Sequence, residues 1–119
     1  MLKIGNVTFD CANPAKVAAF WGEALGYKVQ NVNEHFAMAN HPDGTRPNLL
    51  FIQVPEGRTV KNRVHMDVAA DDREAEIARL IGLGATQGET HSMPEYNITW
   101  TVMQDPEGNE FCVGSEEEL

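Results

Sequence analysis

The sequence predicts an α+β protein built from two similar halves, each with a strand, a helix and about three further strands. The first observation is an internal repeat: NVTFDCANPAKVAAFWGEALGYKV, residues 6–29, and HMDVAADDREAEIARLIGLGATQ, residues 65–87, share one order of elements. That order is an alternating strand, a helix cap, an amphipathic helix and a Leu-Gly exit. The second observation is a Pro-x-Gly turn before the final strand of each half, in HPDGT at 41–45 and DPEGN at 105–109.

Both helices carry start and stop signals. In the first half Asn13 is the predicted N-cap and Pro14 takes the first helical position. In the second half Asp71 and Glu74 have the spacing of a capping box. Glycines just past the last apolar residue are predicted to end the helices, at Gly26 and Gly84.

Apolar residues at helical spacing, and on one side of the strands, predict the core. In the second helix the stripe consists of Ile77, Leu80 and Ile81. Val64, Met66 and Val68 are expected to face this helix from the adjacent strand. The residues predicted to be buried between helices and sheet are Phe9, Phe20, Trp21, Leu25, Met66, Ile77, Leu80 and Phe111.

The opposite side of these strands is polar. Alternation places on it Asn6, Thr8 and Asp10 of the first strand, His65, Asp67 and Ala69 of its repeat, and Glu110 and Cys112 of the last strand. A polar face of this kind is either exposed to water or, where the sheet curls, lines a cleft.

Length and charge restrict the function. A chain of 119 residues suits one domain, and a net charge of −9 repels phosphate backbones and anionic headgroups, so neither nucleic acid nor membrane is an expected partner. No segment approaches the roughly 20 apolar residues of a membrane span. The N-terminal MLKIGNVTF lacks the apolar region of a signal peptide, which predicts a cytoplasmic protein with Cys11 and Cys112 reduced.

Two polar segments interrupt the pattern. Residues 88–97 make the second half longer than the first and are predicted to form a loop, either on the surface or at the rim of a binding site. The C-terminal SEEEL, residues 115–119, is predicted to be a solvated tail.

Three segments in this order, FDCANPAKVAAFWGEALGY, NRVHMDVAADDREAEIARLIGLGAT and WTVMQDPEGNEFCV, resemble the glyoxalase-like domains of the vicinal oxygen chelate superfamily. This superfamily includes glyoxalases, bleomycin-resistance proteins and dioxygenases. The resemblance spans nearly the whole chain and implies one domain over residues 1–119. It implies two βαβββ modules, at about 1–57 and 62–115, whose mixed sheet curls around a cleft.

The resemblance also implies where a metal would bind. Metal-dependent members take one ligand each from the first and last strands of the two modules. These positions fall on Asn6, on His65, on Cys112 and within NLLFIQV, where the side chains able to coordinate are Asn48 and Gln53. Only His65 matches the usual ligand set well, because an amide is a poor ligand for a divalent transition metal. The sequence therefore predicts no metal cofactor.

The function favoured by the sequence is metal-free binding of a small organic molecule, as in the drug-sequestering members that the chain resembles. The predicted ligand-binding residues are Asn6, Asp10, His65, Trp100 and Cys112. A neutral or cationic ligand is expected, because carboxylates share this face while no Lys or Arg does. The resemblance further implies a homodimer.

Two enzymatic alternatives stay open. One is a lyase, isomerase or dioxygenase of glyoxalase type, with a divergent divalent metal site formed by His65 and Cys112 with Glu110 or Asp10. The other is a metal-free acid–base enzyme, in which His65 is catalytic together with Asp67 or Asp10.

Overall fold

The computed structural model describes residue 1 and residues 3–115, so most of the predicted C-terminal tail lies outside the described residues. The chain divides into two compact units, Met1–Gly57 and Arg58–Leu119. No helix in the described part of the chain is both long and apolar enough to cross a bilayer.

The first unit is a four-stranded mixed sheet with one helix. Its elements are β1 (Asn6–Cys11), α1 (Pro14–Leu25), β2 (Lys28–Asn31), β3 (Phe36–Asn40) and β4 (Asn48–Gln53). The strand order is β1-β4-β3-β2, with β1 and β4 parallel and the other pairs antiparallel. As predicted, the Asn13 side chain accepts a hydrogen bond from the Lys16 N–H (3.3 Å), and Gly26 ends α1 with φ 71°.

Aromatic packing fixes which side of β1 faces α1. The Phe9 ring lies 5.4 Å from the ring of Trp21 and 5.2 Å from that of Phe51, and Phe20 meets Trp21 edge to face. Because Phe9 contacts the helix, Thr8 and Asp10 point away from it, as alternation along the strand predicts. Both of these polar residues are exposed.

The second unit repeats the same plan. Its elements are β5 (Met66–Ala70), α2 (Arg73–Gly82), β6 (Thr86–Met93), a short 3-10 helix (Pro94–Tyr96), β7 (Ile98–Gln104) and β8 (Glu110–Ser115). The order β5-β8-β7-β6, with β5 and β8 parallel, matches that of the first unit. The predicted α+β class and the paired βαβββ modules are therefore confirmed.

Two predictions about local structure in the second unit are wrong by one or two residues. The N-cap of α2 is Asp72 and not Asp71, because α2 begins at Arg73 and the Asp72 side chain accepts from the Ala75 N–H at 3.1 Å. Likewise β5 begins at Met66, so Val64 does not face the helix and is 85% exposed.

The segment 88–97 is not a loop. Its first part continues β6, which pairs with β7 from Thr86 to Met93, and the 3-10 helix closes the hairpin. Asn97 makes the tight reversal in the left-handed conformation (φ 56°), a backbone state that Asn tolerates better than most residues. The extra length of the second half is thus a longer hairpin.

The predicted core is confirmed for Phe20, Trp21, Ile77, Leu80 and Phe111, which are all buried. Phe9, Leu25 and Met66 are only half-buried. Ile81, which was predicted to belong to the apolar stripe of α2, is instead 45% exposed on the side of α2 near β6.

Candidate functional site

The face of the second sheet that points away from α2 collects the predicted site residues of this unit. Paired residues on neighbouring strands share a face, and the register pairs Asp67 with Cys112, Cys112 with Val102, and His91 with Trp100. Thr101 lies on the other face, because its hydroxyl accepts a hydrogen bond from Arg73 of α2. The residues His91, Trp100, Val102, Cys112 and Asp67 therefore form one continuous surface, here called the open face.

The turn between β7 and β8 holds this register. The Asp105 side chain, 2% exposed, accepts hydrogen bonds from the backbone N–H groups of Glu107 (2.9 Å) and Asn109 (3.0 Å). The Asn109 side-chain amide donates to both Asp105 oxygens, and Gly108 takes the required positive φ of 85°. Because β7 ends at this turn and β8 begins directly after it, the turn determines that Cys112 lies beside Val102.

Three potential ligand or proton-transfer groups meet at one end of the open face. His65 Nε2 lies 3.3 Å from Asp67 Oδ1, and one side-chain donor atom each of His65, Asp67 and Cys112 lies within 4.8 Å of the others. The His65 and Asp67 side chains are 42% and 57% exposed, whereas Cys112 is 6% exposed. His65 directly precedes β5 instead of lying on it as predicted, and it reaches Asp67 from the strand end.

The electrostatic environment keeps the Cys112 thiol protonated. Burial raises the pKa of Cys112, the negative charge of Asp67 and a hydrogen bond from the thiol to Asp67 raise it further, and Glu110 adds to the effect. Lys61 acts in the opposite direction. Because the thiolate is the nucleophilic form, these causes make Cys112 a hydrogen-bond donor rather than a nucleophile at neutral pH.

Two basic residues, Arg58 and Lys61, lie near the polar groups of the open face. The Arg58 guanidinium forms an ion pair with Glu110 (3.2 Å) and also donates to the Gly108 carbonyl, and the Asn62 N–H donates to the same Glu110 carboxylate at 2.9 Å. The expectation that no Lys or Arg lies near the polar face is therefore wrong. Arg58 thus balances the Glu110 charge, whereas Asp67 stays exposed, and Glu89, which is 87% exposed, lies 3.7 Å from the His91 ring of the open face.

Trp100 and His91 form an aromatic surface on the same face as these groups. Their ring centroids lie 5.4 Å apart with an interplanar angle of 29°, and Trp100 is half-buried. His91 is not among the predicted site residues, because residues 88–97 were predicted to form a loop. The available signal was Asn97, a residue type typical of tight hairpin turns, between two segments of strand length.

Comparison with known proteins agrees with this architecture. A family model described as a glyoxalase-like domain matches residues 6–114, nearly the whole chain. The chain belongs to the glyoxalase-like domain family. No curated protein sequence matches it.

Solved structures of glyoxalase-like proteins share the fold. A glyoxalase/bleomycin resistance protein/dioxygenase family enzyme from Burkholderia phytofirmans PsJN matches with a TM-score of 0.76 and 16% identity, over 96% of this chain and 98% of that one. A glyoxalase-related enzyme from Fulvimarina pelagi matches with a TM-score of 0.74 and 13% identity, over 98% and 90% of the two chains. Lactoylglutathione lyase from Agrobacterium tumefaciens matches with a TM-score of 0.69 and 18% identity, over 98% and 96%.

The strand register settles which residue of this glyoxalase-like chain corresponds to Cys112 in the first module. Asn13 and Asp72 cap the two helices, so the internal repeat aligns Asn6 with His65 and Thr8 with Asp67. Asp67 pairs with Cys112, and Thr8 pairs with Leu50. The position equivalent to Cys112 is therefore Leu50, which cannot coordinate a metal.

The amide candidates of the first module are engaged elsewhere. The Asn48 side chain accepts from the His41 N–H (3.0 Å), and the Gln53 side chain bonds to His35 (3.1 Å) and to the Ala12 carbonyl (3.3 Å). The first module thus offers Asn6 and Leu50 where the family's metal-dependent members are expected to place ligands. This donor set does not fit the four-ligand chelate.

The remaining predicted site residues belong to the first unit. Asn6 and Asp10 lie on β1, where they pair with Asn48 and Ile52, and both are exposed. The structure thus groups His65, Asp67 and Cys112 with Trp100 on the open face, whereas Asn6 and Asp10 share a face of the other sheet.

Proposed function

We propose that this glyoxalase-like protein binds a small, planar organic molecule on the open face of its second module, without the four-ligand metal chelate. The observation that carries the proposal is the half-buried Trp100, stacked on His91, on the same face as Asp67 and Cys112. A flat aromatic wall beside a few orienting polar groups is the usual composition of a small-molecule site.

The chemistry of the open face favours a neutral or cationic ligand. Asp67 is exposed there, Glu89 lies 3.7 Å from the His91 ring, and the Glu110 charge is balanced by Arg58. A ligand nitrogen that carries a proton would find an acceptor in Asp67, and the His65 ring beside it supplies a second polar contact. The additional participation of Asn6 and Asp10, which the resemblance implies, stays a prediction.

Binding can be tested by saturation-transfer NMR with aromatic compounds in matched amine, alcohol and carboxylate forms. We expect amines and alcohols to bind and carboxylates to bind more weakly. Trp100→Leu should abolish the signal of the amines and alcohols, and Asp67→Asn should selectively weaken the amines. Tyr96→Leu, which removes an aromatic side chain that is 66% exposed in the 3-10 helix, is the matched control. A carboxylate signal that exceeds the amine signal and is lost in Trp100→Leu would contradict the proposal.

A second candidate is a metal-dependent lyase, isomerase or dioxygenase of glyoxalase type with a divergent site. The observation that favours it is the cluster of imidazole, carboxylate and thiol donors from His65, Asp67 and Cys112 within 4.8 Å. Zinc accepts all three donor types. Solved structures that share this fold include a lactoylglutathione lyase, an enzyme of this class.

Metal analysis separates the two candidates. Untagged protein purified without chelators is analysed for zinc, nickel and iron, and its melting temperature is measured with and without added divalent ions, since a metal that binds the folded state stabilises it. The first candidate predicts no stoichiometric metal. Stoichiometric metal that is lost in His65→Ala would favour the second candidate.

The 3.3 Å contact between His65 and Asp67 also suits the metal-free acid–base alternative, in which this pair would transfer a proton. A pH–rate profile on an identified substrate would test that role. The cytoplasmic location and the homodimer stay predictions, and light scattering during gel filtration would test the second.

A further inference from the structure

A groove lies between α2 and β6, on the side of the second sheet opposite to the open face. Its volume is about 390 Å³, within the range of roughly 300–1,000 Å³ that small-molecule sites occupy. The lining residues that matter here are Arg73, Glu74, Ile77, Ile81, Gln87 and Thr90. None of these residues belongs to the site proposed above.

Arg73 supplies a positive charge that is held in place. Its guanidinium donates one hydrogen bond, at 2.7 Å, to the hydroxyl of Thr101, which is fully buried and also bonded to the Thr90 hydroxyl at 2.9 Å. Among the residues that the structure describes, no carboxylate forms an ion pair with Arg73. A guanidinium has five N–H donors, so most of its donors are available to a ligand.

The rest of the groove is half polar and half apolar. Gln87 adds a side-chain amide, for which the described part of the chain provides no side-chain hydrogen bond. Ile77 and Ile81 form an apolar wall, and the 45% exposure of Ile81 is explained by its position in this groove. Glu74 lies on the same rim and is the one lining group that would repel an anion.

We propose that this groove binds a small organic carboxylate, with the carboxylate at Arg73 and the apolar body of the ligand against Ile77 and Ile81. An arginine matches a carboxylate with two parallel hydrogen bonds, and its anchoring by Thr101 reduces the side-chain entropy that binding would cost. The rim residue Gln87 donates a further hydrogen bond. This groove is expected to bind an anion, whereas the open face is expected to bind a neutral or cationic ligand, so the charge of the ligand distinguishes the two sites.

Phenylpropionate is the probe, and phenylpropionamide is its uncharged match. Heteronuclear NMR of nitrogen-labelled protein should show saturable shifts confined to residues 73–81 and 87–90 and to the Arg73 side-chain N–H. The amide should bind about tenfold more weakly or worse, since a hydrogen bond to a charged group is lost. Equal binding of the two probes, no saturable shift, or shifts confined to the open face would each overturn the proposal.

Charge variants at the rim give the decisive comparison. Arg73→Gln should weaken phenylpropionate binding about tenfold or more, and Glu74→Gln should tighten it because a repulsive charge is removed. Arg79→Gln is the control, because Arg79 lies on the same helix but pairs with Glu76 at 2.8 Å and does not line the groove. Glu74 is exposed, so Glu74→Gln tests the sign of the charge effect even if Arg73→Gln disturbs folding. Unchanged affinity in Glu74→Gln would overturn the proposal.

Discussion

Asp67 and Cys112 lie opposite each other on the parallel strands β5 and β8, and the Asp67 carboxylate raises the pKa of the buried Cys112 thiol by its charge and by hydrogen bonding. The Asp67 carboxylate is exposed, whereas the Cys112 thiol beside it is buried. The carboxylate is held beside the strand, and the thiol is kept in its neutral form. Substituting one of the two residues should therefore change the chemistry of the other.

The first prediction concerns the reactivity of Cys112. Alkylation by iodoacetamide should be slow at neutral pH, and Asp67→Asn should accelerate it, because removing the Asp67 charge lowers the pKa of the thiol. The rate is measured by mass spectrometry of the peptide that contains Cys112. Cys11, which is buried in the other unit and bonds to the Ile52 carbonyl, serves as internal control. Equal acceleration at both cysteines would indicate general loosening instead.

The second prediction concerns stability at alkaline pH. The folded-state pKa of Cys112 is raised, so the stability it contributes is fully present below the ordinary pKa of the thiol, 9.0, and is lost as pH rises through the raised value. We expect the free energy of unfolding to fall more steeply above pH 9.0 in the native sequence than in Cys112→Ala. Urea denaturation at neutral and alkaline pH measures this. A constant difference between the two proteins would contradict it.

The third prediction compares two helical glycines. Gly22 lies in α1, where an added Cβ would clash with Val29 Cγ2 and lie 3.2 Å from the Tyr27 carbonyl oxygen. Gly22→Ala should therefore destabilise the protein by about 1–3 kcal/mol, although Ala is the better helix former. Gly82 ends α2 with no atom within 4 Å of its added Cβ, so Gly82→Ala should be neutral or stabilising by up to about 1 kcal/mol.

Chemical denaturation should show that Gly22→Ala lowers the free energy of unfolding and that Gly82→Ala leaves it unchanged or raises it. Helix propensity alone predicts the same sign for both. Stabilisation by Gly22→Ala would therefore show that Val29 and β2 move away from α1 at little cost.

The fourth prediction tests the core. Phe20 and Leu80 are each 4% exposed, in α1 and α2 respectively. Truncating either residue to Ala should lower the free energy of unfolding by about 2–5 kcal/mol, since transfer energy is lost and a cavity remains. Val60→Ala, at a site that is 73% exposed, should change it by less than about 0.5 kcal/mol. A similar loss in all three variants would refute the assigned burial.

Much of the fold follows from local signals that act within a few residues. The Asn13 cap, Pro14 at the start of α1, and Asp105 with Gly108 in the last turn were all predictable, because each satisfies a backbone requirement that neighbouring residues impose. The repeated order of these signals predicts paired modules. The capping residue of α2 was harder to predict, because Asp71 and Asp72 are adjacent and chemically equivalent.

Features that depend on strand register could not be predicted from the sequence. The segment NLLFIQV allows several registers with similar alternation, and only the pairing of Thr8 with Leu50 shows that Leu50 corresponds to Cys112. Long-range contacts such as Arg58 with Glu110 leave no local pattern. The pairing of His91 with Trp100 depends on a hairpin whose strand, β6, is exposed along its length and so lacks an apolar alternation.

The final prediction tests the aromatic surface of the open face. His91 stacks on Trp100 at 5.4 Å and its side chain is 43% exposed, so His91→Ala removes a contact without opening the core. Such an aromatic contact contributes about 0.5–1.5 kcal/mol, so binding of a planar ligand at Trp100 should weaken roughly two- to tenfold, and the melting temperature should fall by only a few degrees. Ser92→Ala is the matched control, because Ser92 is the next residue of β6, bonds to Thr99 at 2.9 Å and points to the other face. If Ser92→Ala weakens binding as much as His91→Ala, hairpin stability rather than stacking controls the site, and the role proposed for the His91–Trp100 surface is wrong.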